Sequence, residues 1–430
     1  MSTSNQELSR ARWSRLIPIV FVTYSLAYLD RSNYGFGAAS GMAKTLHITP
    51  SASALLGALF FLGYFFFQVP GAHYAEKYSA RKLIFWSLIL WGILASAQGM
   101  ISSIPLLFFD RFLLGVVESA VMPAMLVFIS HWFTQPERSR ANTFLILGNP
   151  VTVLWMSVIS GYLISWVHWQ GMFIIEGIPS IIWAFIWLAL VNDRPKDAKW
   201  LGDSERDKVT NALTEEQSRL KAVKNYRQAF KSKSVVLLSL QYFFWSIGVY
   251  GFVIWLPSII KSASKMGIVT TGWLTSVPYL LAAILMLVAS YYSDRSLNRK
   301  IYVWVFLLIG AIAFYASYVI GTYNFWISFF LLVVAGGAMY APYGPFFAII
   351  PEILPVNVAG AAMALINGMG ALGSFVGSYF VGYLNGATGS PNASYVFMAG
   401  SLLLSVVFTL AVRTNTDEIH RTPTRERAAQ

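Results

Sequence analysis

The sequence predicts an all-α membrane protein: twelve transmembrane helices in two six-helix bundles, with both termini cytoplasmic. Three observations carry this. The 430-residue chain is 56% hydrophobic and only 12% charged, where soluble domains carry about 25% charged residues. Its apolar residues gather into twelve stretches, each long enough to cross about 30 Å of hydrocarbon. Its Lys and Arg residues concentrate in alternate loops. A water-soluble fold cannot cover so much apolar surface, so the bilayer is the solvent for most of the chain.

The first six stretches are 16–36, 54–73, 83–101, 104–130, 142–165 and 172–191; the second six are 235–260, 271–292, 301–321, 325–350, 359–384 and 395–412. Three domains follow: an N-terminal bundle (1–191), a linker (192–234) and a C-terminal bundle with a short tail (235–430). With the N-terminus inside, the cytoplasmic segments hold Arg10, Arg12, Arg15, Lys77, Arg81, Lys82, Arg138, Arg140, Arg295, Arg299 and Lys300, besides the charged linker and tail; the outer loops hold only Lys44, Lys261 and Lys265. That asymmetry sets the orientation. Arg10, Arg12 and Arg15 before an apolar run imitate a signal peptide. The run completes an even set of spans and contains Asp30 and Arg31, so it reads as the first span. In the linker, Asp203-Ser204-Glu205-Arg206 reads as a helix start.

Composition excludes several function classes. The net charge of +12 would suggest nucleic acid in a soluble protein, but here the charges lie in short loops between spans, so no nucleic acid is expected. With no cysteine, thiol catalysis and disulfides are excluded. The five histidines have no metal spacing, and no phosphate-binding Gly-x4-Gly-Lys-Ser/Thr loop occurs. No cofactor and no enzymatic activity are expected.

The chain repeats itself. Glu76-Lys77-Tyr78-Ser79-Ala80-Arg81-Lys82 matches Asp294-Arg295-Ser296-Leu297-Asn298-Arg299-Lys300 at an offset of 218, and the same offset takes Asn149 to Asn367. Two matches at one offset indicate a duplicated six-helix unit. An even number of spans gives both copies the same orientation, with the symmetry axis along the membrane normal. Headed by Gly71, the first string resembles the signature loop between spans two and three of the major facilitator superfamily, although Glu76-Lys77 stands for Asp-Arg and Ser79 for a glycine. Carboxylates facing guanidinium groups at helix ends can latch two bundles; Glu76, Arg81, Asp294 and Arg299 are the expected latch.

A narrower resemblance is carried by Tyr28-Leu29-Asp30-Arg31-Ser32-Asn33, by Arg111 through Glu118 (Arg-x6-Glu), by Phe173-Ile174-Ile175-Glu176-Gly177 and by Asp193-Arg194-Pro195 through Leu201. These resemble the anion:cation symporter family, which includes galactonate, glucarate, hexuronate and tartrate permeases. The resemblance implies an inner-membrane importer of an organic anion, a sugar acid by preference, coupled to protons. Its expected partners are that small anion, protons and the lipid bilayer, with the chain acting as a monomer.

Charges at membrane depth cost at least about 2.5–3.5 kcal/mol each on insertion scales, so each demands a reason. Asp30, Arg31, Asp110, Arg111, Glu118 and Glu176 all lie in the first half, and Glu352 falls at or beyond the end of span ten. Counting 1.5 Å per residue puts Asp30 and Arg111 at one level, about 9 Å below the outer surface, and Glu118 about 10 Å deeper on the face of Arg111. Asp30–Arg111 pairing is therefore expected. Arg31 and Arg111 are expected to clamp a carboxylate, because guanidinium binds one in bidentate fashion. Asp30 and Glu118 are the candidate proton carriers, released when substrate takes their arginines. Asp110 and Glu176 read as structural. Tyr28, Tyr64, Gln241, Tyr250, Tyr340, Tyr343 and Asn367 are candidate cavity residues, on spans that line the cavity in the family. Pro342 and Pro345 are expected to break span ten. A drug/proton antiporter of the same fold is the alternative, though Gly148-Asn149-Pro150 is followed by Val151-Thr152, which leaves the antiporter motif incomplete. An uncoupled facilitator is a third reading, opposed by Asp30 and Glu118.

Overall fold

The structure, a computed structural model, describes residues 10–219, 233–296, 298–321, 323–353 and 356–412. Linker residues 220–232, the tail from 413 and the side chain of Glu352, all invoked above, lie outside the described set.

All regular structure is helical. The chain opens with α1 (Ala11–Ser32) and two short helices, α2 (Tyr34–Ala39) and α3 (Met42–Thr45). Then come α4 (Pro50–Tyr74), α5 (Ala80–Ala97), α6 (Ile104–Ser119), α7 (Val121–Trp132) and α8 (Gln135–Leu190). The linker holds α9 (Asp203–Arg219), beginning at the expected signal. Beyond it lie α10 (Lys233–Ser264), α11 (Ile268–Ser296), α12 (Arg299–Gly321), α13 (Phe325–Tyr340), α14 (Tyr343–Ile353), α15 (Val356–Thr388) and α16 (Asn392–Ala411). Nine segments among the described residues are long and apolar enough to cross a membrane.

Helix ends follow local chemistry. Asn324 caps α13 by accepting from the Trp326 and Ile327 amides. Glu137 accepts from the Thr134 amide at 2.9 Å and closes the start of α8. The expected spans 142–165 and 172–191 are joined within α8 by a sharp turn at Val167–His168, where His168 takes φ +59°. The expected span 104–130 is divided between α6 and α7. Pro123 has no amide hydrogen to give the Ser119 carbonyl, and the division falls at Ala120, two residues beyond Glu118. Span ten likewise breaks at Ala341–Pro342, as its prolines predict.

The surface inverts the rule for proteins in water: Phe185 is 60% exposed and Phe330 65% exposed, as befits side chains solvated by lipid. Within the first half, α5 and α1 pack on α8 and α4 on α6; within the second, α10 packs on α15 and α16, and α12 on α13 and α16. Among the described residues, the broadest contacts between the halves are α4 with α15, α8 with α11 and α2 with α10. Their closest approaches lie at the end opposite the basic loops. A Cβ on Gly35 would stand 2.5 Å from the Ile254 carbonyl oxygen, and one on Gly272 would stand 2.4 Å from that of Ser157. Only glycine permits such backbone contact. Lys261 Nζ donates to the Ala39 carbonyl at 2.8 Å at the same end.

The expected latch takes a different form. Arg81 donates to the Leu188 carbonyl, and its amide reaches Asp193 Oδ1 at 2.9 Å. In the second copy, Lys300 Nζ donates to the Val412 carbonyl at 2.9 Å. Each loop thus satisfies carbonyls at the C-terminal end of the last helix of its own half, where a cation is electrostatically favoured. Asp294 and Arg299 pair within their own loop at 2.5 Å. Glu76 is exposed and forms no ion pair with Arg81 among the described residues. The repeated string therefore caps helices in this conformation rather than bridging the bundles. The linker start also docks on the first half: Trp200 stacks on Trp132 at 5.5 Å, Arg15 lies over the Trp200 ring at 4.7 Å, and Arg138 pairs with Glu216 at 2.7 Å.

Candidate functional site

A cavity opens between the halves, with about 520 Å³ of empty space, its mouth included. Helical periodicity determines which side chains reach it. Tyr24 and Arg31 are seven residues apart on α1, and Phe61 and Tyr64 three apart on α4. Ile146 and Asn149 come from α8; Tyr242, Ser246 and Tyr250 form a stripe on α10; Tyr343 and Phe347 come from α14; and Asn367, Gly370, Ala371 and Ser374 line it from α15. These spacings of three, four and seven keep one helix face toward the cavity. Asn149 and Asn367, equivalent in the internal repeat, both line it.

Arg31 stands in the last turn of α1. Its guanidinium forms an ion pair with Glu118 on α6 and makes a long 3.4 Å contact with the Tyr250 hydroxyl on α10. It lies over the Tyr64 ring at 4.6 Å, with Tyr28 at 5.2 Å and Phe60 at 5.4 Å. Ring faces favour a cation, and the carboxylate supplies its counter-charge. Glu118 is fully buried, and its Oε2 has no hydrogen-bond partner. One arginine is therefore shared between an acid of the first half and a hydroxyl of the second.

Arg111 is placed differently from expectation. It is fully buried but does not line the cavity. Its Nη1 donates to Gln98 Oε1 at 3.1 Å and its Nε to the Leu56 carbonyl at 3.4 Å, while Tyr34 and Phe60 cover its faces at 4.9 and 5.6 Å. The expected two-arginine clamp is therefore absent here, because aromatic rings on α2 and α4 separate Arg111 from the cavity. The expected Asp30–Arg111 pair is also unformed. Asp30 counts Glu118, Glu176 and Arg111 among its charged neighbours and has the Trp91 indole beside it, but forms no ion pair among the described residues. Nor does Glu118 pair with Arg111, the partner suggested by their shared stripe; it pairs with Arg31. Glu176 accepts from Ser160 at 2.6 Å and Asn33 at 3.1 Å, tying α8 to the end of α1, as a structural residue would.

Of the uncharged candidates, Tyr64, Tyr250, Tyr343 and Asn367 line the cavity. Tyr28 and Tyr340 do not; they share a 2.9 Å hydrogen bond across the halves. Gln241 is fully buried, its backbone carbonyl accepting from Ser405. It sits one residue off the stripe of Tyr242, Ser246 and Tyr250, a 100° turn that carries it away from the cavity. Asn367 donates to Gln68 Oε1 at 2.8 Å. Tyr24, Phe61, Tyr242, Ser246 and Ser374 are lining residues not anticipated from sequence. Given one anchor per helix, the three-to-four spacing would have found most of them.

The Major Facilitator Superfamily model matches residues 20–272 and 262–430. The chain is 30% identical over 404 residues to a "Putative tartrate transporter" of Agrobacterium vitis, covering 92% of this chain and 89% of that protein. It is 29% identical to a "Quinolone resistance transporter" of Acinetobacter baumannii, covering 93% of each. It is 23% identical to the "Probable galactarate/D-glucarate transporter GudP" of Escherichia coli K12, covering 94% of each. Among solved structures, a partially occluded inward-open form of the xylose transporter XylE from E. coli superposes with a TM-score of 0.74 at 15% identity, covering 93% of this chain and 98% of that one. That likeness concerns the fold alone. Duplicated halves, a cavity between them and full-length relatives agree: the chain is a multi-pass inner-membrane transporter, not an enzyme, and belongs to the major facilitator superfamily among its organic-anion transporters.

Proposed function

We propose that this protein imports an organic anion, a sugar acid, together with protons by alternating access. Twelve spans with both termini cytoplasmic, divided at 191/192 and 234/235, are part of this reading. The nine qualifying segments support it, as do the turn that divides α8 and the polar helices α1 and α15. So does the gathering of basic residues at one end.

The single observation that carries the proposal is the Arg31–Glu118 ion pair at the cavity wall. A carboxylate entering the cavity competes for Arg31, which offers the charge-assisted donors a carboxylate needs. Glu118 then loses its partner in a low-dielectric site, where an unpaired charge is costly, and takes a proton. Substrate, Arg31 and protonated Glu118 together carry no net charge, so the loaded site can turn over without moving an unpaired charge. Glu118 thus loses Arg31 to the substrate, and Arg111 stays outside the exchange.

The test is counterflow and pH-driven uptake of radiolabelled sugar acid in proteoliposomes. Glu118→Gln mimics the protonated acid. It is expected to keep counterflow and lose accumulation driven by a pH gradient. Accumulation at the parental level would show that coupling does not require Glu118 and would leave its pairing with Arg31 as a structural contact.

A further inference from the structure

We infer that the cavity selects acids bearing a single carboxylate and discriminates against dicarboxylates. The inference rests on the organic-anion reading of the same site and narrows it, because the relatives named for tartrate and for galactarate and glucarate are named for diacids.

Charge counting leads to it. Among the described residues lining the cavity, Arg31 is the one charged side chain. The remaining polar lining is neutral: tyrosine hydroxyls, Asn149, Asn367, Ser246 and Ser374. Such groups suit hydroxyls and ring faces and supply no second positive charge. Asn149 Oδ1 is buried without a partner, an acceptor able to take a hydroxyl hydrogen, and its neutral amide supplies no charge to balance a second carboxylate. The other buried guanidinium, Arg111, is enclosed by Tyr34 and Phe60 and held by Gln98 and Leu56. Reaching it would require repacking a fully buried wall.

The local charge balance points the same way. Among the described residues Arg31 is the one guanidinium that reaches the cavity, and Glu118 already matches its charge. One carboxylate and one proton on Glu118 balance the Arg31 site. A second carboxylate brings a further negative charge into low dielectric with no cation to meet it. The expected preference for single-carboxylate acids over dianions is about 100-fold or more in Kd.

The experiment is a binding panel on the purified full-length protein at pH 7.5, read by titration calorimetry and by counterflow. It compares glucuronate and galactonate, galactarate and tartrate, and 4-hydroxybenzoate. Tighter binding of glucuronate or galactonate than of either diacid supports both readings. Binding of 4-hydroxybenzoate alone supports single-charge selection and overturns the sugar-acid assignment. Diacids binding as well as their single-carboxylate counterparts overturn the inference while leaving organic-anion transport intact. If no acid binds or exchanges, both readings fall. Asn149→Lys adds a second cation to the cavity lining from α8 and is expected to raise the tartrate-to-glucuronate affinity ratio at least about tenfold. An unchanged ratio in a variant with parental melting temperature would overturn charge count as the determinant.

Discussion

The two halves share a repeated sequence pattern, yet they divide the chemistry unequally. The first half buries six carboxyl and guanidinium side chains within its spans, from Asp30 to Glu176; among the described residues the second buries none. The second half brings Tyr242, Tyr250, Tyr343, Asn367 and two serines to the cavity. Charge is concentrated on one wall and neutral hydrogen-bonding capacity on the other. Rocking motions can then change access without carrying buried ions across a moving interface, since Arg31 and Glu118 belong to the same half. The single polar thread from Arg31 to the second half is its long contact with Tyr250.

Substitutions on the two walls should separate in size. The largest effect is expected for Arg31→Gln, which removes the cavity's cation and leaves Glu118 buried and unpaired; uptake should fall about 100-fold or more. Retained uptake in an inserted variant would mean that the substrate does not bind through Arg31. Arg111→Gln is expected to act on stability instead, costing about 1–3 kcal/mol because the buried Gln98 amide oxygen and Leu56 carbonyl lose their donor. Substrate Kd should change less than about threefold. Thermal melting beside substrate titration distinguishes these outcomes, and lost binding in a normally stable variant would bring Arg111 back into the substrate site.

On the neutral wall, Tyr250→Phe should raise KM by about three- to tenfold, the value of one neutral hydrogen bond, and leave pH-driven accumulation intact. Loss of coupling in this variant would break the division of labour between the halves. The smallest effect lies outside the spans. Burial raises the pKa of Glu137, but hydrogen bonds from Arg12 and the Thr134 amide outweigh it and hold the carboxyl below its ordinary value. A depressed folded-state pKa contributes stability that is present above the unfolded value of about 4.3 and lost as pH falls through the folded one. Melting temperature should therefore decline below about pH 4.3, and Glu137→Gln should flatten that decline. Parallel curves for the two proteins would remove Glu137 from the acid response.

Much of the architecture was legible because the bilayer imposes strong, one-dimensional rules. Apolar length marks helices, prolines mark breaks such as Ala341–Pro342, and the offset of 218 linking Asn149 to Asn367 marks a duplication. The site was legible only in part. Arg31, Glu118, Tyr64, Tyr250 and Asn367 could be singled out because charge or position made them conspicuous. Their partners could not. Counting residues along α1 and α6 estimates depth but not azimuth between helices, so it pointed to Asp30–Arg111 and did not reveal Arg31–Glu118.

By itself, then, the sequence determined the all-helical, membrane-spanning character of the chain, its concentration of basic residues in alternate loops and the confinement of buried charge to one half. Each depends on local composition and on helical rise, which neighbouring chain segments cannot alter. Only the tertiary structure decided that Arg31 faces the cavity while Arg111 lies behind Tyr34 and Phe60. It also decided that Arg81 and Lys300 cap helices within their own halves. Those choices depend on how helices rotate and tilt against one another, and a rotation of 100°, one residue's step, is enough to move a guanidinium from a substrate cavity into a sealed core.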